Sequence, residues 1–278
     1  LASINNKKRI SEVCKSFKVN TIYHAAAYKH VPLVEENPFE AVKNNILGTK
    51  ICAEVASDLN IETFVLISTD KAVRPTNIMG ATKRFAELIL QSMAANTSTR
   101  MIIVRFGNVI GSSGSAIPLF QQQIRDGGPV TVTHPEVVRY FMSIPEAAEL
   151  VIQAGALGKG GDVFVLDMGE PVKIYELAKR LINLSGMEVK DKKNMEGDIE
   201  IIFTGLRPGE KLYEELLIGD NVSTTEHKKI LRAEEDFLES GELDAYLELI
   251  SEAEKKADVV ALRDILQKVV SGFKPEEE

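Results

Sequence analysis

Two textures of apolar residues alternate along the chain. Within residues 7–17, Ile10, Val13, Cys14 and Phe17 fall at i, i+3, i+4 and i+7, one face of a helix. Residues 21–27 read as a strand that runs into three small residues, Ala25, Ala26 and Ala27. Helical spacing returns over roughly 39–58. Residues 63–68 form a short continuous apolar run, the pattern of a strand buried on both faces. Residues 78–94, rich in Ala, Leu, Glu and Met, predict a helix, and 101–106 a second buried strand. Apolar strands separated by helices predict a doubly wound α/β fold, a parallel sheet covered on both faces.

Beyond Gly107 the alternation weakens. Residues 107–115 are a loop of small residues. Helices are expected near 117–126, 145–156 and 173–185, and strands at 129–133, 162–167 and 199–203. The weaker pattern predicts a smaller lobe with one boundary near residue 115. Residues 1–115 then form the first domain, and 116–278 the lobe with interleaved core elements and C-terminal helices. Leu243, Leu247 and Ile250, then Val259, Leu262, Leu266 and Val269, predict two amphipathic helices at the end of the chain.

Charge narrows the function. The chain carries a net charge of −8. Residues 221–278 hold 15 acidic and 8 basic residues, so this stretch supplies −7 of it, as solvated faces of the last two helices. Such a balance excludes a broad nucleic-acid surface but leaves room for a local cationic pocket. Two cysteines, Cys14 and Cys52, make neither a disulfide framework nor a zinc site, and no metal is expected. The apolar runs are too short to span a bilayer, so this segment is not expected to contact a membrane.

Four motifs carry candidate chemistry. Ser68-Thr69-Asp70-Lys71 stands where an apolar strand ends, the place where open parallel sheets bind ligands. Its hydroxyl, carboxyl and amine offer a hydrogen-bond donor, an acid and a base; its bland reading is a capped turn. Met79-Gly80-Ala81-Thr82-Lys83 opens the next helix and puts Met79 and Lys83, at i and i+4, on one face. Arg105-Phe106-Gly107-Asn108 follows the next strand. Arg207-Pro208-Gly209-Glu210 is a turn whose arginine could clamp a phosphate with its planar fork, and Arg139 is a second candidate clamp.

Together with His24-Ala25-Ala26-Ala27-Tyr28-Lys29-His30-Val31-Pro32, Glu36-Asn37-Pro38 and Asn45-Ile46-Leu47-Gly48-Thr49, these segments resemble one family over about residues 20–235. It is the UDP-N-acetylglucosamine 4,6-dehydratases of bacterial surface polysaccharide synthesis, within the extended short-chain dehydrogenases/reductases. The superfamily places Tyr-x-x-x-Lys on the helix after a strand-end Ser or Thr. Here the spacing is kept but Met79 stands at the tyrosine position, as in the large, membrane-anchored branch.

The resemblance implies a Rossmann-like fold that is N-terminally incomplete in this chain. The Gly-x-Gly-x-x-Gly turn that cradles the dinucleotide pyrophosphate is missing, and by the family pattern it precedes Leu1. The implied cofactor is NAD or NADP, and the implied substrate UDP-N-acetylglucosamine or a related UDP-sugar. Thr69, Asp70, Lys71, Met79 and Lys83 fall at the catalytic positions, with Asp70 as acid, Lys71 as base and Met79 as a spacer without proton chemistry. Lysine acts as a base only if burial or a neighbouring cation such as Lys83 lowers its pKa. Ala25, Ala26, Ala27, Lys83 and Phe106 fall at cofactor positions. Lys29, Asn108, Thr133, Arg139, Arg207 and Glu210 fall at substrate positions. A homo-oligomer is expected, on the cytoplasmic side of the inner membrane. A nucleotide-sugar 4-epimerase and a non-catalytic nucleotide-sugar-binding module are the alternatives. Asp70-Lys71 argues against the first; Met79 and the missing phosphate turn favour the second.

Overall fold

The computed structural model describes residues 1–215 and 222–275. They form two compact units: Leu1–Phe106, Glu149–Asp167 and Glu215–Glu278 make the first, Gly107–Ala148 and Met168–Glu214 the second.

The first unit is built on six strands: β1 (Thr21–His24), β2 (Thr63–Ile67), β3 (Arg100–Arg105), β4 (Asp162–Leu166), β5 (Val222–Thr224) and β6 (Ile230–Ala233). Their order is β1-β2-β3-β4-β6-β5. The first four are parallel, while β6 runs antiparallel to both β4 and β5. Phe64, Val65 and Leu66 of β2 and Met101 to Val104 of β3 are wholly buried, as continuous apolar runs in a two-sided sheet require. Among the described residues β1 pairs with β2 alone, and its Tyr23 is exposed.

Helix Ile78–Ala94 is the central covering element, buried from Ile78 through Ser92. Asn77 caps it by accepting the Gly80 N–H at 2.8 Å, and the Glu35 carboxylate accepts the Ile78 N–H at 2.6 Å. The two terminal helices, Ser240–Lys255 and Val259–Val269, seat Leu243, Leu247, Ile250, Leu262 and Leu266 in the same apolar core as Phe85 and Leu88. Burying side chains of this size is worth roughly 1.5–3 kcal/mol each. This contact corrects the expected domain boundary. The chain leaves the first unit after Phe106, not near residue 115. It returns for β4, which hydrogen-bonds to β3, and again for the terminal helices, whose apolar faces have their core there.

The expected helix over 39–58 is in fact Pro38–Ala41, a π-helical turn Val42–Leu47 and helix Gly48–Asp58. β6, which the alternation does not signal, is a strand because it pairs along β4 from Ala233↔Val163 to Ile230↔Leu166.

The second unit has its own core of Phe120, Ile124, Val130, Val132, Ile174, Ala178 and Ile182. Helices Ala116–Arg125 and Ile174–Leu184 supply it, together with a parallel sheet in which Ile199–Phe203 lies between Val130–Val132 and Val189–Lys190. No helix of the described residues is long and apolar enough to cross a membrane.

Candidate active site

The strand ends of β1, β2 and β3 gather the motif residues of the first unit. β2 ends at Ile67, and the chain turns through Ser68 and Thr69 into a short 3-10 turn, Asp70–Ala72. Thr69 caps that turn by accepting the Lys71 N–H at 3.3 Å. Backbone bonds moor it to β3: Ser68 N–H donates to Val104 O at 2.8 Å, and Asp70 N–H to Phe106 O at 3.1 Å. Phe106, expected to touch a cofactor, thus holds the turn through its carbonyl.

Asp70 is the centre of this turn. Its side chain is fully buried, against 20% exposure for that of Lys71. One oxygen, Oδ1, accepts both the Thr69 hydroxyl at 2.8 Å and the Lys71 ammonium at 3.0 Å. The other, Oδ2, is buried without a hydrogen-bond partner. A buried carboxylate oxygen without a donor is costly, and a catalytic role is one explanation for a group kept in that condition. The Lys71 ammonium is thus ion-paired with the Asp70 carboxylate at the strand end.

Lys83, one helical turn after Met79, is the buried amine. Its Nζ donates to the Ile67 carbonyl at 2.6 Å, and desolvation lowers its pKa to about 8 against a weaker opposing pull from Glu87. Met79 is 2% exposed and belongs to the apolar core. The helix that carries both comes so close to the strand-end turn that a Cβ on Gly80 would lie 2.2 Å from the Lys71 carbonyl oxygen. Glycine is required there by backbone contact.

At the end of β1, His24 is buried and its Nε2 meets Thr49 Oγ1 at 2.9 Å. Burial chiefly, helped by the charge of Lys83, lowers the His24 pKa to about 4. The imidazole is neutral at pH 7. Since the Thr49 hydroxyl donates to Asn45 O at 2.7 Å, it accepts from His24, which fixes the Nε2–H tautomer. Ala25 and Ala26 are exposed and Ala27 half-buried, in an extended segment beyond the strand. A cavity of about 570 Å³ opens here, lined by Ala25, Ala27, Tyr28, Lys29 and Leu33. Asn45 shapes it. Its amide accepts from Tyr28 N–H at 2.8 Å and donates to Tyr28 O at 3.0 Å and to Thr82 Oγ1 at 3.1 Å. In the sequence Asn45 is one residue of the segment Asn45-Ile46-Leu47-Gly48-Thr49, with nothing to mark it as a site residue. Its place in a π-helical turn, a feature frequent at functional sites, emerges only in the fold.

The second unit gathers three of the remaining residues around Glu210. Its Oε1 accepts from Thr133 Oγ1 at 3.0 Å and Arg139 Nη2 at 3.2 Å, and its Oε2 accepts the Arg207 N–H at 3.2 Å. Arg139 is 8% exposed, and its Nη1 also donates to Val138 O and Leu212 O. Its fork therefore orders the turn, while the Arg207 side chain is exposed. Asn108 lies on a two-residue strand, where its N–H donates to Tyr140 O at 3.1 Å. Among the described residues no group of His, Cys, Asp and Glu could hold a metal ion.

The chain matches known proteins over most of its length. Residues 1–235 match the family described as polysaccharide biosynthesis protein. The capsular polysaccharide biosynthesis protein CapD of Staphylococcus aureus is 57% identical over 89% of this chain. The UDP-glucose 4-epimerase of Rickettsia rickettsii is 37% identical over 80% of it. The chain spans only 41% of the length of CapD and 62% of that of the epimerase. Among solved structures, Pen from Bacillus thuringiensis superposes with a TM-score of 0.76 at 33% identity, covering 86% of this chain and 73% of Pen. The UDP-glucose 4-epimerase of Thermus thermophilus, solved with NAD, shares the fold at a TM-score of 0.67 and 19% identity, over 77% of this chain and 74% of its own. The parallel sheet, the strand-end turn and these matches agree: the chain belongs to the polysaccharide biosynthesis protein family and has the Rossmann-like fold of the extended short-chain dehydrogenases/reductases.

Proposed function

We propose that this chain carries the catalytic turn of a nucleotide-sugar 4,6-dehydratase acting on UDP-N-acetylglucosamine, in the synthesis of a surface polysaccharide. The observation that supports it best is the Asp70 carboxyl, with Oδ1 shared by Thr69 and Lys71 and Oδ2 buried without a partner. An epimerase needs only oxidation and reduction at C-4. A dehydratase also needs an acid for the departing C-6 oxygen and a base for the C-5 proton, and an adjacent carboxyl and amine meet that need.

The residues present fit the nicotinamide half of NAD or NADP. Ala25, Ala26 and Ala27 leave backbone accessible at a strand end, and Lys83 is a buried cation with donors beyond the one given to Ile67. Nothing in the described chain is assigned to the pyrophosphate, since no Gly-x-Gly-x-x-Gly turn occurs in it. When bound, the cofactor would supply the hydride acceptor for oxidation at C-4 and the hydride donor for reduction at C-6.

The proton chemistry falls to the turn. Thr69 hydrogen-bonds the C-4 hydroxyl, which gives its proton to solvent as C-4 is oxidised. Neutral Lys71 beside protonated Asp70 holds the same number of protons as the ion pair seen here. Lys71 takes the C-5 proton and Asp70 gives its own to the C-6 oxygen, which leaves as water. The step ends on the Asp70–Lys71 ion pair, a favourable contact at 3.0 Å. At the end of the cycle Lys71 returns a proton to C-5 as C-6 is reduced, and Asp70 recovers its own from solvent. Arg207, with Asn108, Arg139, Thr133 and Glu210, holds the uridine diphosphate, and Lys29 reaches the sugar.

The test is mass spectrometry of UDP-N-acetylglucosamine incubated with the full-length natural protein and NAD or NADP. Loss of one water is expected. An unchanged mass with inversion at C-4 would make it an epimerase. Asp70→Asn and Lys71→Met should each slow water loss by about a hundredfold or more, and wild-type rates would sink the assignment.

A further inference from the structure

Beneath the catalytic turn lies a buried charge network that the proposed chemistry does not use. Glu87, one turn beyond Lys83 on the same helix, is fully buried. Its Oε1 accepts from Ser68 Oγ at 2.5 Å and Arg105 Nε at 2.9 Å; its Oε2 accepts from Arg105 Nη2 at 2.6 Å and Arg84 Nη1 at 2.9 Å. Arg105 and Arg84 both continue to Glu235, just beyond β6, and Arg84 also donates to Asp236 O at 2.9 Å. Two guanidinium groups and two carboxylates cancel. Burial opposes the charge on Glu87, but Arg105 and Arg84 keep it ionised, well below the usual carboxylate range. An ionised acceptor makes the Ser68 bond a strong, directional one.

That bond fixes the root of the turn. Ile67 is held by Lys83, Ser68 by Glu87 and Val104, and Asp70 by Phe106. The partners of Asp70 Oδ1, Thr69 and Lys71, travel with the turn. Oδ2 has no hydrogen-bond partner, so its location depends on how the backbone of the turn is held at its root. We propose that Ser68 and Glu87 are a positioning pair that sets where the Asp70 acid stands, with Arg84, Arg105 and Glu235 holding Glu87 in place. The segment carrying Glu235 is thereby tied to the geometry of the reacting carboxyl. This role rests on reading Asp70 as the acid of a dehydratase.

Ser68→Ala tests it, because Glu87 loses only the serine hydroxyl and keeps both arginines, so folding is preserved where Glu87→Gln could fail. Steady-state water loss and UDP binding are measured in the full-length protein, with amide hydrogen exchange across residues 68–73 in the same variant. The expected result is a kcat at least tenfold lower, a KM and UDP affinity within twofold of wild type, and faster exchange confined to the Asp70 and Ala72 amides. A wild-type kcat overturns the proposal. So does a fall in kcat matched by a similar loss of UDP affinity or a general rise in exchange, which marks a structural role only. If the wild-type protein removes no water, the dehydratase reading has failed. Exchange then decides the positioning pair: a local rise at Asp70 and Ala72 supports it, and unchanged exchange overturns it.

Discussion

Gly80→Ala pits helix propensity against backbone contact. Alanine in place of glycine inside a helix gains about 1 kcal/mol. Here the added Cβ would stand 2.2 Å from Lys71 O, 3.1 Å from Lys71 C and 3.2 Å from Pro75 Cβ, whereas ordinary contact begins near 3.4 Å. The difference, 3.4 − 2.2, is 1.2 Å, and it must come from moving backbone, not from rotating a side chain. Overpacking of this kind costs about 1–3 kcal/mol, which cancels or exceeds the propensity gain. The catalytic cost is larger. A shift of the reacting group by about 1 Å is worth on the order of a hundredfold in rate. The expected outcome is a protein that folds, with a melting midpoint at or below wild type. Its kcat for water loss falls by about a hundredfold, while UDP affinity by calorimetry is kept, because the residues proposed to hold UDP belong to the second unit. A variant with raised stability and wild-type kcat would refute the reasoning, since the turn could then yield without consequence.

Three further outcomes are expected. His24, neutral in the fold with a pKa lowered from 6.5 to about 4, takes up a proton more readily when unfolded. Stability from this group is complete above pH 6.5 and is lost as pH falls towards 4, by about 3 kcal/mol at most. His24→Gln should flatten that slope in urea titrations at pH 7 and 4.5, and an identical slope would exclude His24 as its source. Met79→Leu, a near-isosteric change in the core, should cost less than about 1.5 kcal/mol and leave the rate of water loss nearly unchanged; abolished turnover in a folded protein would give Met79 a direct role. Arg207→Ala removes a charge-assisted contact worth about 1.5–3 kcal/mol and should weaken UDP binding roughly tenfold or more. Unchanged affinity by calorimetry would count against the assignment.

Local pattern alone made much of this legible. The apolar runs at 63–68 and 101–106 become strands Thr63–Ile67 and Arg100–Arg105 because only a two-sided sheet buries such runs, and helix Ile78–Ala94 has the bounds its composition implies. The strand-end turn was visible for the same reason, since Ser68-Thr69-Asp70-Lys71 directly follows such a run. Tertiary structure decided what periodicity does not encode. It returned β4, β6 and the terminal helices to the first unit, because strand pairing and apolar burial act across long sequence separations. It gave Lys71 an ion pair and Lys83 the buried, pKa-lowered place, because desolvation depends on what surrounds an amine and not on its neighbours in sequence. It also joined Ser68, Glu87, Arg105 and Glu235, four residues with no common spacing, because a charge can be buried only where opposite charges from other segments converge on it.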